Sequence, residues 1–185
     1  MESVLNSFLL VAVSEIGDKT QLLSLILAAR YKKPIPIILG IFIATILNHG
    51  LASYIGEFVF THIPANLHSW ILGIAFIGFG FWILIPDKEE EIDEKENRGA
   101  FLATLVLFFL AEMGDKTQLA TIALGGKYLD TVSVSIGSTF GMLAANIPAV
   151  FMGDKILKIV PLKYIRWGAS ALFILFGLWI LIFKS

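Results

Sequence analysis

The chain has 185 residues, 57% of them hydrophobic and only 16% charged, with a mean hydropathy of +0.82, which excludes an ordinary soluble domain of roughly 45–50% apolar residues. A formal net charge of -1 offers no basic field for nucleic acid. Without cysteine there is no disulfide frame, thiolate metal site or thiol nucleophile, so any metal here must use oxygen or nitrogen ligands.

In chain order, the start "MESVLNSFLLVAV" lacks the basic n-region of a signal peptide and reads as a mature first helix. A bilayer core about 30 Å thick needs roughly 20 mostly apolar residues per helix. Six segments qualify: Val4 to Ala29, Ile35 to Phe60, Leu67 to Ile85, Ala100 to Leu124, Val132 to Met152 and Ile165 to Phe183. Pro, Gly or charge bounds each of them. Between the third and fourth lies "PDKEEEIDEKENR", with seven acids and three bases, which reads as a solvated linker.

Sliding the sequence against itself by 97 residues, without gaps, matches 24 of 88 positions, so the halves are copies. Leu27 and Tyr31 pair with Leu124 and Tyr128, Gly40 with Gly137, Trp70 with Trp167, and "GFWILI" with "GLWILI". Residues 1–86 form the first repeat, 87–98 an acidic linker and 99–185 the second repeat. Each repeat carries three spans, an odd number, so the second enters the membrane from the opposite side. The expected fold is an all-α membrane protein of six transmembrane helices in two inverted-topology three-helix repeats. Outside the motifs described next, ten Lys and Arg fall in the loops after helices 1, 3 and 5, against Lys127 and Lys184 on the other face. The positive-inside rule puts those loops in the cytoplasm and both termini outside.

Two nearly identical strings interrupt the apolar spans: "SEIGDKTQ" from Ser14 and "AEMGDKTQ" from Ala111. Charges at a helix centre cost about 2.5–3.5 kcal/mol each on insertion scales, so six ionisable groups near the midplane point to function rather than to glue. On a straight helix Glu15, Asp18, Lys19 and Leu22 share one face, as do Glu112, Asp115, Lys116 and Leu119. The two faces can meet at a pseudo-twofold axis. Gly17 and Gly114 permit close helix approach, the favoured use, or a local break that frees carbonyls. Thr20, Thr117, Gln21 and Gln118 are supporting hydrogen-bonding groups, although Thr20 points well away from Glu15 on an ideal helix. Four carboxylates and two ammonium groups sum to -2, which one divalent cation cancels. Manganese and calcium both take oxygen ligands, so the motifs fit either. Protons could replace the cation on the return step, which would make an antiporter.

Other polar residues in the spans are Asn48, His49 and Asn146. Asn48 and Asn146 divide evenly between interhelical hydrogen bonding and ligation, whereas His49 reads as an interhelical hydrogen bond. Glu57 pairs in register with Asp154, and both read as solvated helix ends. Gly73, Gly78, Gly80, Gly137 and Gly141 read as close helix packing.

Two copies of E-x-G-D-K-T, in the first and fourth spans of a six-span repeat, resemble the signature of the Gdt-one/transmembrane-protein-165 family of divalent-cation transporters. The resemblance covers essentially the whole chain. It implies exchange of manganese or calcium for protons or another counter-ion, with Glu15, Asp18, Glu112 and Asp115 as ion ligands. Lys19, Thr20, Lys116 and Thr117 complete the motif. The resemblance implies no enzyme activity and no cofactor, and the chain lacks the N-terminal extension common in eukaryotic members. This favours a multi-pass protein of a prokaryotic plasma (inner) membrane, in which one repeat rocks against the other. Two rivals fit less well. An intramembrane aspartyl protease carries G-x-G-D, but here Glu15 or Glu112 holds the first Gly position. A channel or non-transporting subunit usually relies on symmetry around a pore axis.

Overall fold

The computed structural model describes residues 1–85, 99–152 and 162–183. The acidic linker and Asp154 lie outside the described residues. The described chain forms eight helices: α1 (Glu2–Glu15), α2 (Lys19–Tyr31), α3 (Pro34–His62), α4 (Ala65–Ile83), α5 (Ala100–Glu112), α6 (Lys116–Tyr128), α7 (Thr131–Met152) and α8 (Leu162–Phe183). No strand occurs among the described residues.

Four helices, α3, α4, α7 and α8, are long and apolar enough to cross a membrane. The segments expected as continuous first and fourth spans are each two short helices instead. Each piece has 13 or 14 residues, about 20 Å at 1.5 Å per residue, short of the roughly 30 Å hydrocarbon core. The cause is local. Gly17 and Gly114 take φ of 80° and 75°, in the left-handed region that costs other residues roughly 1–2 kcal/mol. The preceding Ile16 and Met113 are extended. Of the two uses open to these glycines, the local break is the one observed.

The backbone repeats its special conformations at the sequence offset. Besides the glycine pair, Lys32 and Leu129 both take positive φ, 53° and 47°, ending α2 and α6 with backbone bonds to Ala28 and Gly125. The tight packing repeats too. A Cβ on Gly40 would strike Phe101 and Thr104 of α5, and one on Gly137 would strike Val4 and Ser7 of α1. Gly73, Gly80 and Gly141 are similarly enclosed, but nothing lies within 4 Å of a Cβ on Gly78, so Gly78 is not a packing glycine.

The two halves of the sequence interlock. α1 and α2 lie against α7, α5 and α6 lie against α3, and α4 runs along α8. Polar groups are gathered inside beside an apolar core, and large apolar side chains face outward: Glu15, Thr20, Ser24, His49, Glu112 and Asn146 are buried with Leu10, Phe76 and Phe108, while Leu47, Phe58, Trp70, Phe81, Phe140 and Ile182 are exposed. That distribution suits a lipid solvent, in which polar groups must find partners inside.

Candidate functional site

Acidic residues flanking the two helix breaks meet in the interior. Glu15 and Glu112, the last residues of α1 and α5, are both 0% exposed. Carboxylate oxygens of Glu15, Glu112 and Asp115 lie within 4.8 Å of one another, an arrangement able to hold a metal ion. The expected ligand set is therefore gathered unequally: Asp115 is buried in the cluster, whereas Asp18 is half-buried and lines an adjoining cleft with Ser14, Gly17, Ile83, Thr117 and Arg166.

Each letter of the repeated string now has a local task. The glycine reverses the backbone, and the chain re-enters helix with Asp18 and Asp115 at the N-termini of α2 and α6, where helix dipoles favour negative charge. The C-terminal ends of α1 and α5, rich in carbonyl oxygen, converge on the same place, as at cation sites in discontinuous transporter helices. The threonine turns back to the glutamate: the Thr20 hydroxyl donates to Glu15 Oε2 at 2.6 Å, and the Thr117 hydroxyl to Glu112 Oε2 at 3.3 Å. A straight helix points Thr20 away from Glu15, but the break turns it back. The glutamine clamps the turn. The Gly17 N–H donates to Gln21 Oε1 at 2.9 Å and the Gly114 N–H to Gln118 Oε1 at 2.7 Å, replacing helical bonds that the break removes. The Gln21 amide also donates to the Ala145 carbonyl at 2.8 Å, tying the first break to α7 one turn before Pro148, which lies inside that helix.

Gln118→Leu is therefore expected to destabilise the protein by about 0.5–1.5 kcal/mol through loss of its bond to the Gly114 N–H. A thermal shift in detergent, compared with the surface change Asn66→Ala, checks this.

The lysines differ. The buried Lys116 Nζ donates to the Ile85 carbonyl at the end of α4, at 2.8 Å. Lys19 is half-buried at the start of α2. Asn48 and Asn146 are both buried. The Asn48 amide donates to the Phe109 carbonyl at 3.0 Å, and Asn146 accepts from Ser24 at 2.7 Å while donating to Met142. These bonds tie α3 to α5 and α7 to α2.

Two features escape a reading of the sequence alone. His49 makes no hydrogen bond among the described residues, contrary to the expected interhelical bond, and its Nε2 lies 3.7 Å from Glu112 Oε2. Glu57 is not a solvated helix end. Its carboxylate accepts from the Thr131 N–H at 2.8 Å and from the Thr131 hydroxyl, fastening α3 to the start of α7. Beside it Ser53 and Ser135 share a hydrogen bond of 2.6 Å, and Gly125 packs on the Ser53 carbonyl. The signal for Glu57 was present in its spacing, one helical turn from Ser53, on a helix face that a solvated end does not need.

A family model described as "Divalent cation/proton antiporter GDT1" matches residues 3–91 and 100–185. A Vibrio cholerae protein named "Putative manganese exporter" is 48% identical over 169 residues, covering 91% of this chain and 84% of its own length. A GDT1-like protein of Synechocystis is 29% identical over 194 residues, 91% of each chain. GDT1-like protein 3 of Arabidopsis thaliana is 26% identical over 204 residues, 95% of this chain and 69% of its own length. No solved structure matches.

Proposed function

The chain belongs to the GDT1 family of divalent cation/proton antiporters, and we propose that it exports manganese in exchange for protons by alternating access across a prokaryotic plasma membrane. The observation that carries this reading is the cluster of three buried carboxylates at two facing helix breaks. The similarity to the Vibrio cholerae protein supports manganese as cargo. The family is one of transporters, not enzymes.

In this reading α1 with α2, and α5 with α6, are the first and fourth of six spans, each broken at the bilayer midplane. The halves 1–86 and 99–185 are inverted repeats. The matched positive-φ residues, Gly17 with Gly114 and Lys32 with Leu129, support that symmetry, and the lysine and arginine distribution supports cytoplasmic odd-numbered loops and outer termini. Glu15, Glu112 and Asp115 then ligate the ion. The cleft beside Asp18 and Arg166 leads to the cytoplasmic face, while the Glu57–Thr131 and Ser53–Ser135 contacts close the outer one.

Inverted repeats supply the second state by exchanging the roles of their two halves. In the outward-facing state Asp18 joins the glutamates and Asp115 moves to the vestibule. Because α1 and α2 lean on α7 while α5 and α6 lean on α3, the bodies that move are these mixed groups rather than three consecutive spans. Protons arriving from outside neutralise the carboxylates, release the ion and return through the same site.

Proteoliposomes tested with manganese, calcium and magnesium in competition, under imposed proton or sodium gradients, check the proposal. The expected result is saturable manganese flux driven by the proton gradient. Absence of manganese and calcium flux under every gradient overturns it, and single-channel currents without counter-ion dependence would make the protein a channel.

A further inference from the structure

The imidazole of His49 stands at the wall of the carboxylate cluster and is 0% exposed. Neither ring nitrogen has a hydrogen-bond partner among the described residues. Leaving a buried polar group unsatisfied costs about 1–3 kcal/mol, so a histidine kept only for packing is poorly explained here. The repeat sharpens the point. At the 97-residue offset His49 faces Asn146, whose side chain is engaged by Ser24 and Met142. The second half fills this position with a hydrogen-bonded amide, and the first with an unbonded nitrogen base.

His49 Nε2 lies 3.7 Å from Glu112 Oε2, too long for a hydrogen bond. Neighbouring donors around an octahedral ion with bonds of about 2.1 Å stand roughly 3 Å apart, so a small approach of the two side chains would let both reach one ion. Oε1 of both Glu15 and Glu112 is likewise buried without a hydrogen-bond partner among the described residues. Glu15, Glu112 and His49 thus each carry a buried side-chain atom without a hydrogen-bond partner among the described residues.

We propose that His49 is a ligand to the transported ion and the residue that selects a first-row transition-metal cation, manganese, over calcium and magnesium. This rests on the transport reading above. Three carboxylates alone form an all-oxygen site that calcium and magnesium accept. An imidazole nitrogen exchanges one hard donor for a donor that the transition-metal series binds more tightly. Selectivity is a difference of affinities, and here it resides in one donor atom contributed by α3.

Two measurements test this. Manganese bound to purified protein labelled with 15N-histidine is expected to show nitrogen coupling in pulsed electron paramagnetic resonance, lost in His49→Gln. The protein's other two histidines, His62 and His68, bond to backbone carbonyls near the junction of α3 and α4, so the variant assigns the signal. In proteoliposomes, His49→Gln is expected to lower the ratio of manganese to calcium uptake by roughly tenfold or more. Absence of nitrogen coupling in manganese-loaded protein, or an unchanged uptake ratio in the variant, overturns the proposal. If His49→Gln does not fold, the double variant of His62→Gln and His68→Gln assigns the signal instead: coupling that persists supports His49, and coupling that is lost overturns it. If the wild-type protein binds manganese with nitrogen coupling yet moves no ion, the transport reading fails while the ligand assignment stands.

Discussion

Glu15→Gln abolishes divalent-cation flux, with a loss of at least roughly a hundredfold, since even groups that only orient metal ligands are worth about 10–100-fold. The substitution keeps the size of the side chain and an oxygen able to accept from Thr20, so the bond between Thr20 and Glu15 survives and the fold with it. What disappears is one of three carboxylates in a fully buried cluster and with it one negative charge opposite the ion. Glu112→Gln behaves the same way. The aspartates are expected to differ, because only Asp115 sits with the glutamates. Asp115→Asn weakens manganese binding from the cytoplasmic face, whereas Asp18→Asn leaves that binding largely intact and slows the outward-facing half of the cycle. Binding to right-side-out and inside-out vesicles separates the two. Equal losses on both faces for both aspartates would overturn the exchange of roles between the halves.

Much of this was written in the sequence, and the reasons for the exceptions are physical. The repeat, the motifs and the long apolar spans were legible because identity at a fixed offset and runs of apolar residues survive without knowledge of backbone shape. The helix breaks were not, because glycine serves close packing and positive φ alike, and only the surrounding hydrogen bonds decide between them. Once Gly17 adopts φ of 80°, the helical wheel that placed Thr20 away from Glu15 no longer applies, and Gln21 gains a backbone partner four residues upstream. The asymmetry between Asp18 and Asp115 was equally hidden, since identical strings cannot announce which copy faces the cleft in one conformation. His49 was underrated for a related reason. A lone histidine in a span is most simply a bonded one, and its lack of a hydrogen-bond partner among the described residues is a property of tertiary packing rather than of any window of sequence.

Gly114→Ala tests whether the break itself is the working part of the site. Alanine has no low-energy place at φ of 75°, and a penalty of roughly 1–2 kcal/mol corresponds to about a 5–30-fold shift in population. Nothing lies within 4 Å of the added Cβ, so steric conflict with a neighbour does not contribute and the cost is conformational. Alanine is also the best helix former, exceeding glycine by about 1 kcal/mol, so the variant favours continuing α5 directly into α6. A continuous helix carries Thr117 away from Glu112, removes the Gln118 clamp and rotates Asp115 relative to the glutamates. The expected outcome is a fall in manganese flux of roughly an order of magnitude or more, with weaker manganese binding, while thermal stability falls little or rises. Gly17→Ala is expected to act in the same direction, and the double variant more than either. A Gly114→Ala protein that transports and binds like the wild type would mean that the break is incidental. Normal binding with impaired flux would place the break in the conformational cycle rather than in the ligand set.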